Sequence, residues 1–299
     1  MRLLVTGQSG QVLTALVERG REAGIEVIPV GRPALDLAAP GDLVALFRPW
    51  KPDVVVNAAA YTAVDQAESE PELAMAVNGA GAGVVAAAAK ALGCPVIQLS
   101  TDYVFDGAKP EPYVESDPVG PIGAYGRSKL AGEEAVAAAN PDHAILRTAW
   151  VFAANGKNFV RTMLRLAESR SEVSVVADQR GCPSYAPDIA DGVIAVARNL
   201  VGKRDNPELR GVFHLCGSGE TDWAGFAEAI FAEAQARGGP AARVRRIATA
   251  DYPTPARRPA NSRLDGSKLK AVHGVVLPHW RDALGRCLDR LLGGSRMKP

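Results

Sequence analysis

The feature that most constrains the fold is an alternation running through the first half of the chain. Apolar, β-rich runs ("RLLVTG" at 2–7, "EVIPVG" at 26–31, "PDVVVNAAA" at 52–60, "PVIQLSTDYVF" at 95–105 and "HAILRTAWVF" at 143–152) are separated by stretches with helical periodicity. These lie near 10–22, just after Asp42, across about 71–92 and across about 124–139. The run at 52–60 has no polar alternation, which suits a strand covered on both faces. Strands that alternate with helices predict a parallel, doubly wound α/β sheet, and right-handed crossovers place helices on both of its sides.

The first strand leads into "TGQSGQVL". Gly7 allows a sharp turn, and Gly10 allows a phosphate to approach the backbone at the start of a helix, where unpaired N–H groups and the helix dipole favour an anion. A dinucleotide fingerprint would carry a third glycine at 13, but Leu13 stands there. Since that glycine serves helix–strand packing, Leu13 bears on packing more than on phosphate contact. Alone, the two glycines fit a plain strand–turn–helix equally well. The second strand ends "VGRPALDL" without an acid at its tip. Arg32 suits a 2′-phosphate and points to NADPH, with NADH as the alternative, and Asp36 stands within reach of an adenine amino group.

"YGRSKLAGEEAV" places Tyr125 and Lys129 four residues apart, on one helix face. An ammonium beside a phenol stabilises the phenolate and can also hydrogen-bond a ribose. The phenol can then pass a proton to a carbonyl oxygen that receives a hydride. The preceding strand ends "LSTDYVFDG", so Ser100, Thr101 and Asp102 fall at a strand's carboxyl end, where α/β sheets hold ligands. Within this frame residues 1–150 form a dinucleotide-binding domain of Rossmann type, completed by parts of about 172–220. Residues 151–299, with looser rhythm and a proline-broken stretch at 249–269, form mainly a smaller, interleaved C-terminal substrate-binding lobe.

Other classes are disfavoured. A formal net charge of +1 supplies no field for nucleic acid or an anionic membrane. The Ala-rich run 82–89 is too short for a membrane span, and the glycine-broken start does not read as a signal peptide. Four scattered cysteines without CxxC, and four histidines without metal-ligand spacing, predict no metal site and a cytoplasmic location. The histidines read as surface or satisfied interior groups.

TGxxG, NAAA at 57–60, STDYVFDG at 100–107 and YxxxK at 125–129 together resemble the extended short-chain dehydrogenase/reductases. "NAAAYTAVDQAESEPELAMAVN", "YGRSKLAGE", "NFVRTMLRLA" and "YPTPARRPANSRLD" are more closely similar to the dTDP-4-dehydrorhamnose reductases, from residue 2 to about 292. That resemblance implies reduction of a dTDP-4-ketosugar to dTDP-L-rhamnose. It assigns Tyr125 as proton donor, Lys129 as its partner and Thr101 as the hydroxyl tuning the carbonyl hydrogen bond. It puts Gly10, Gln11 and Val12 on the cofactor loop, Asp36 and Leu37 near adenine, and Ala60, Tyr61 and Thr62 near the ribose. Thr101, Asp102 and Trp150 match substrate positions. In "ARRPANSR", Arg257, Arg258 and Arg263 are candidates for the diphosphate, and no choice among them follows from the sequence. Family members can form dimers bridged by Mg²⁺ through glutamates. Here Ala15 and Pro187 occupy two of those positions, so a homodimer remains allowed but a bridging metal is not expected. A dihydrostreptose-type ketosugar reductase shares the same motifs. So does the regulatory subunit of methionine adenosyltransferase, although a pure binder has no need of Tyr125, Lys129 and Thr101 together.

Overall fold

A computed structural model describes residues 1–293. Its centre is a six-stranded, wholly parallel sheet in the order β10-β5-β4-β3-β1-β2. The strands are β1 (Arg2–Thr6), β2 (Glu26–Val30), β3 (Val54–Asn57), β4 (Val96–Thr101), β5 (His143–Thr148) and β10 (Gly211–His214). The alternation of strand side chains sends neighbours to opposite faces. Leu3 and Val5 of β1, with Val54 and Val56 of β3, join one core with helices α1 (Gln11–Glu22), α7 (Ala186–Gly202) and α9 (Ser267–His273). Leu4 and Val55 join the other, under α2 (Leu43–Phe47), α4 (Gly81–Ala91) and α5 (Ala124–Ala139). Two cores on one sheet explain why the strands read as continuous apolar runs.

The expected helix across 71–92 is instead three pieces. Between α3 (Pro71–Met75) and α4 lies a π-helical turn, Ala76–Ala80, which contains buried Asn78. The run Pro71–Ala91 is long and apolar enough to cross a membrane, but it packs against α2 and α5 in the second core.

The C-terminal lobe has its own core, built from α6 (Phe159–Ala167), α8 (Trp223–Ala236) and α10 (Trp280–Leu292) around Phe226, Ile230, Trp280 and Leu284. Of the stretch 172–220, α7 and β10 extend the central sheet and its layer. Strand β7 (Glu172–Val176) does not: it pairs in parallel with β12 (Arg243–Ile247), away from the central sheet. Its alternating burial, Val173 and Val175 inward, matches a strand covered on one side only. Short strands form two further small sheets. β8 (Arg180–Gly181) pairs with β11 (Thr221–Asp222) and β13 (Asn261–Ser262), and β6 (Val151–Phe152) pairs with β9 (Ser184–Tyr185).

Candidate active site

The carboxyl ends of β1 and β3 are tied to each other and to the middle of β4 by buried polar side chains. The Thr6 hydroxyl donates to Asn57 Oδ1 at 2.6 Å and accepts from the N–H groups of Ala58 and Ala59, while Asn57 Nδ2 donates to Gln98 Oε1 at 2.7 Å. This network sets the course of the chain as it leaves β3. Gly7 adopts φ +121, which L side chains rarely tolerate, and starts the loop into α1. A Cβ on Gly31 would stand 2.6 Å from the Gly7 carbonyl carbon and 2.9 Å from the Gln8 nitrogen, so the tip of β2 lies directly against the loop. Gly10 caps α1, with nothing within 4 Å of where its Cβ would be. Gln11 and Val12 form the first turn, and Gln11 Oε1 accepts from Asn158. Leu13 is buried, and its Cδ2 lies 3.5 Å from the point a Gly7 Cβ would occupy. The side chain thus fills the space beside the loop and leaves the phosphate-facing side alone.

A cavity of about 350 Å³ opens along this cradle, lined by Gly7, Ser9, Gly31, Arg32, Asp36 and Tyr61 among others. Glycines that clear a backbone-lined trough at a helix N-terminus fit a dinucleotide. Arg32 and Asp36 are not independent in it. The guanidinium holds the Asp36 carboxylate at 3.0 and 3.1 Å, and Asp36 also accepts from the Ala38 N–H. The Arg32 bond first, then the backbone bond, keep Asp36 below the usual carboxylate range. Asp36 is therefore engaged rather than waiting for adenine. Leu37 turns into the core behind it.

After β3 come Ala60, Tyr61 and Thr62. The Tyr61 N–H donates to Asn78 Oδ1 at 2.8 Å, and Asn78 Nδ2 donates back to the Tyr61 carbonyl and to Ser128 Oγ. Ser128 in turn donates to the Tyr125 carbonyl. Asn78, in its π turn, thus ties the loop at 60–62 to the helix bearing Tyr125. The motif reading missed it, though a lone Asn in "AVNGAG" was the available signal.

Tyr125 and Lys129 share the inner face of α5. A Cβ on Gly126 would stand 2.2 Å from the Tyr103 carbonyl oxygen, so only glycine lets this helix settle on the end of β4. The Tyr125 ring meets Tyr103 edge-on, with centroids 5.5 Å apart. Burial, then the charge of Asp102, pushes the Tyr125 phenol up to about 12, and a hydrogen bond with Thr101 is the one influence pulling it down. The expectation that Lys129 lowers this value is not met here. Its Nζ donates to the Leu99 carbonyl at 2.7 Å, and burial drives the ammonium down to about 8. Thr101 Oγ1 donates to Asp102 Oδ1 at 3.0 Å. Burial pushes Asp102 up to about 6, against the Ser262 and Thr101 hydroxyls.

Trp150 takes the left-handed backbone conformation, φ +48, two residues beyond the end of β5. Its ring stacks on Trp223 at 3.5 Å, and a Cβ on Gly181 would run into it. A strained, rigidly backed aromatic at a strand end is the kind of outlier that marks a ligand site. The three loop arginines separate clearly. Arg263 is buried and bound to Glu220 at 2.8 Å and to Asn261. Arg258 pairs with Asp65 at 2.9 Å. Arg257 is exposed and has no ion pair among the described residues. Ala15 and Pro187 border a small cavity with Glu18 and Arg290, which pair at 3.0 Å, and no cluster of metal-ligating side chains occurs among the described residues. Among the histidines, His214 is fully buried, and burial ahead of the Arg147 charge lowers it to about 3, so it stays neutral.

Comparison with known proteins agrees with this arrangement. The family model described as the RmlD substrate binding domain matches residues 1–292. A curated dTDP-4-dehydrorhamnose reductase of Sinorhizobium fredii is 52% identical over 292 residues, covering 98% of each chain. The crystal structure of a dTDP-4-dehydrorhamnose reductase from Clostridium acetobutylicum superposes with TM-score 0.89 at 37% identity, covering 97% of this chain and 99% of the other. That of Bacillus anthracis, in complex with NADP, gives 0.87 at 34% identity, covering 96% and 98%. With a parallel sheet, a glycine cradle and the Tyr125–Lys129 helix along the length of the match, the chain belongs to the RmlD family of dTDP-4-dehydrorhamnose reductases.

Proposed function

We propose that this chain reduces the C4 ketone of dTDP-4-dehydro-6-deoxy-L-mannose (dTDP-6-deoxy-L-lyxo-4-hexulose) to dTDP-L-rhamnose with NADPH. The observation that carries the reading is Thr101, Tyr125 and Lys129 gathered at the carboxyl end of β4, beside a cradle that suits a dinucleotide. The backbone of Gly7, Gly10, Gln11 and Val12 receives the pyrophosphate. Arg32, Asp36 and Leu37 flank the adenosine, and Ala60, Tyr61 and Thr62 flank the ribose side. When bound, the cofactor supplies the hydride that adds to the carbonyl carbon.

The chain's own residues do the rest. Tyr125, with its phenol held up to about 12, stays protonated at neutral pH and keeps that proton ready for the carbonyl oxygen. Thr101 shares the hydrogen bond to that oxygen. Lys129 is charged below about pH 8, and its ammonium offsets the phenolate that remains and can also hold ribose hydroxyls. Trp150, backed by Trp223, offers a flat face to the hexose, Asp102 offers a hydrogen-bond partner to a sugar hydroxyl, and Arg257, exposed and without an ion pair among the described residues, offers a guanidinium to the diphosphate. Residues 1–150, completed by α7 and β10, serve the cofactor, and the lobe serves the sugar nucleotide. Four unbridged cysteines suit a reducing, cytoplasmic compartment.

The test is an assay of purified protein with NADPH or NADH and several dTDP-4-keto sugars. Oxidation of NADPH that requires the lyxo-hexulose supports the reading. Oxidation with a different ketosugar alone would move the chain to a dihydrostreptose-type activity. Tight NADPH binding with no turnover of any ketosugar would make it a binding subunit.

A further inference from the structure

A buried ionic cluster lies one turn beyond Lys129. Glu133, on the same face of α5, accepts from Arg147 Nε at 2.9 Å and Nη2 at 2.7 Å, and from the Ser100 hydroxyl at 2.5 Å. Glu133 and Arg147 each have side chains only 5% exposed. Ser100 and Arg147 are register partners on β4 and β5, so the carboxylate sits astride the two strands whose ends carry Thr101 and Thr148. The Arg147 guanidinium lies over the Phe105 ring at 5.0 Å, which locks it from the far side. A buried ion pair is a poor source of net stability, since desolvation offsets the attraction. Its presence four residues from Lys129 calls for another role.

We propose that Glu133 is a positioning residue of this active site: clamped between Ser100 and Arg147, its carboxylate holds α5 in register with β4 and β5 and sets a negative charge one helical turn from Lys129. This rests on Tyr125 and Lys129 acting at a nicotinamide dinucleotide, as read above. The surroundings of Lys129 leave few other sources of negative charge. Its own helix offers Tyr125, which stays neutral, and Glu133. Just past the end of β4 stands Asp102, a carboxylate above about pH 6 whose charge acts on Tyr125 rather than on Lys129, with neutral Ser100 and Thr101 before it. β5 offers only the cation of Arg147, and the π turn contributes neutral Asn78. Burial lowers Lys129, and Glu133 is the one group that opposes it.

The experiment compares the wild type with Glu133→Asp, Glu133→Gln and the double variant Glu133→Gln/Arg147→Met. The double variant removes both charges together, so no lone ion is left buried and the fold is kept. Two readouts are taken across pH 6 to 10: kcat/KM for the ketosugar, and NADPH affinity by fluorescence without substrate. The expected result is an alkaline limb near pH 8 in the wild type, displaced downward by about one unit in Glu133→Gln and by less in the double variant, which also loses the opposing Arg147 cation. For Glu133→Gln at pH 8 this is about a fivefold to tenfold loss in both readouts. Glu133→Asp keeps the charge and should restore the limb while lowering kcat severalfold through its shorter reach. A folded Glu133→Gln variant, or failing that the double variant, with wild-type limbs in both readouts would overturn the proposal and leave the pair a purely structural one. If the wild type binds NADPH with this limb yet turns over no ketosugar, the functional reading fails and the role of Glu133 stands.

Discussion

The cofactor cradle and the catalytic helix are built on opposite principles. At the cradle, Gly7, Gly10 and Gly31 clear space, backbone groups face the trough, and the one ion pair, Arg32–Asp36, is exposed. At the helix, Asp102, Lys129, Glu133 and Arg147, drawn from three separate segments, are all buried, and the charge of Asp102 acts on Tyr125. The first region is specified by shape. It should fail when a methyl group is added and barely notice a change of charge. The second is specified by charge in a low dielectric, where each unpaired ion is costly and each pairing shifts a proton equilibrium. Function concentrates where stability is spent.

The largest effect expected from breaking this comparison is at Tyr125. Tyr125→Phe removes the proton donor while keeping the ring against Tyr103, so turnover should fall by about 10²–10⁴-fold with NADPH affinity within about twofold of wild type. Stopped-flow reduction and fluorescence titration report the two quantities, and retained turnover would remove Tyr125 from the mechanism.

Gly31→Ala tests the cradle. Its methyl meets the Gly7 and Gln8 backbone at under 3 Å, so the loop must move, at about 1–3 kcal/mol of stability and most of the NADPH affinity. Gly10→Ala is the control. Its φ of −174 is open to any residue and its Cβ meets nothing, so stability should hold within about 0.5 kcal/mol while a bound phosphate is obstructed. Equal stability losses in the two variants would contradict a cradle specified by close approach.

Asp102→Asn sharpens the charge side. Burial holds the folded carboxyl at about 6, against 3.8 for an ordinary aspartate, so the folded chain binds more protons between those values, and stability falls as pH rises from about 3.8 to about 6. Above that window the penalty is complete, about 3 kcal/mol. The variant should gain up to that amount in urea denaturation at pH 7, match the wild type near pH 3, and lose ketosugar turnover. A wild-type dependence of stability on pH in the variant would show that Asp102 does not carry this penalty.

The smallest effect belongs to the exposed pair. Asp36→Asn frees Arg32 from a surface ion pair worth under about 1 kcal/mol. The NADPH to NADH preference should therefore rise by no more than about fivefold, and Arg32→Ala should lower it. Dissociation constants for the two cofactors measure both, and a change of the same sign in the two variants would disconnect Arg32 from the 2′-phosphate.

Much of the cofactor side was legible in the chain. Strand periodicity, the Gly7/Gly10 turn and the Tyr125/Lys129 spacing are local properties, and the structure sets them at one end of one parallel sheet. The details that escaped are contacts between residues far apart in sequence. Pairing of Arg258 with Asp65, and of Arg263 with Glu220, leaves Arg257 as the one of the three without an ion pair among the described residues, a distinction that no pattern in "ARRPANSR" expresses. The π turn that aims Asn78 at both Tyr61 and Ser128 was hidden inside a run reading as one long helix. Strand β7 read as a possible completion of the first domain, yet its one-sided apolar pattern pairs it with β12 in the lobe.

By itself the sequence determined the doubly wound architecture, the position of the glycine loop and the placing of Tyr125 and Lys129 on one helix face. Each depends on spacing within about one helical turn or one strand, where side-chain direction follows from backbone geometry alone. Only the tertiary structure decided the electrostatics. It buried Lys129 against the Leu99 carbonyl and set Glu133 across Ser100 and Arg147. It also turned Arg32 onto Asp36 and let Leu13 take up the space beside Gly7. A charge or a packing gap depends on what surrounds it, and those surroundings come from segments that meet only once the sheet has closed between its two layers of helices.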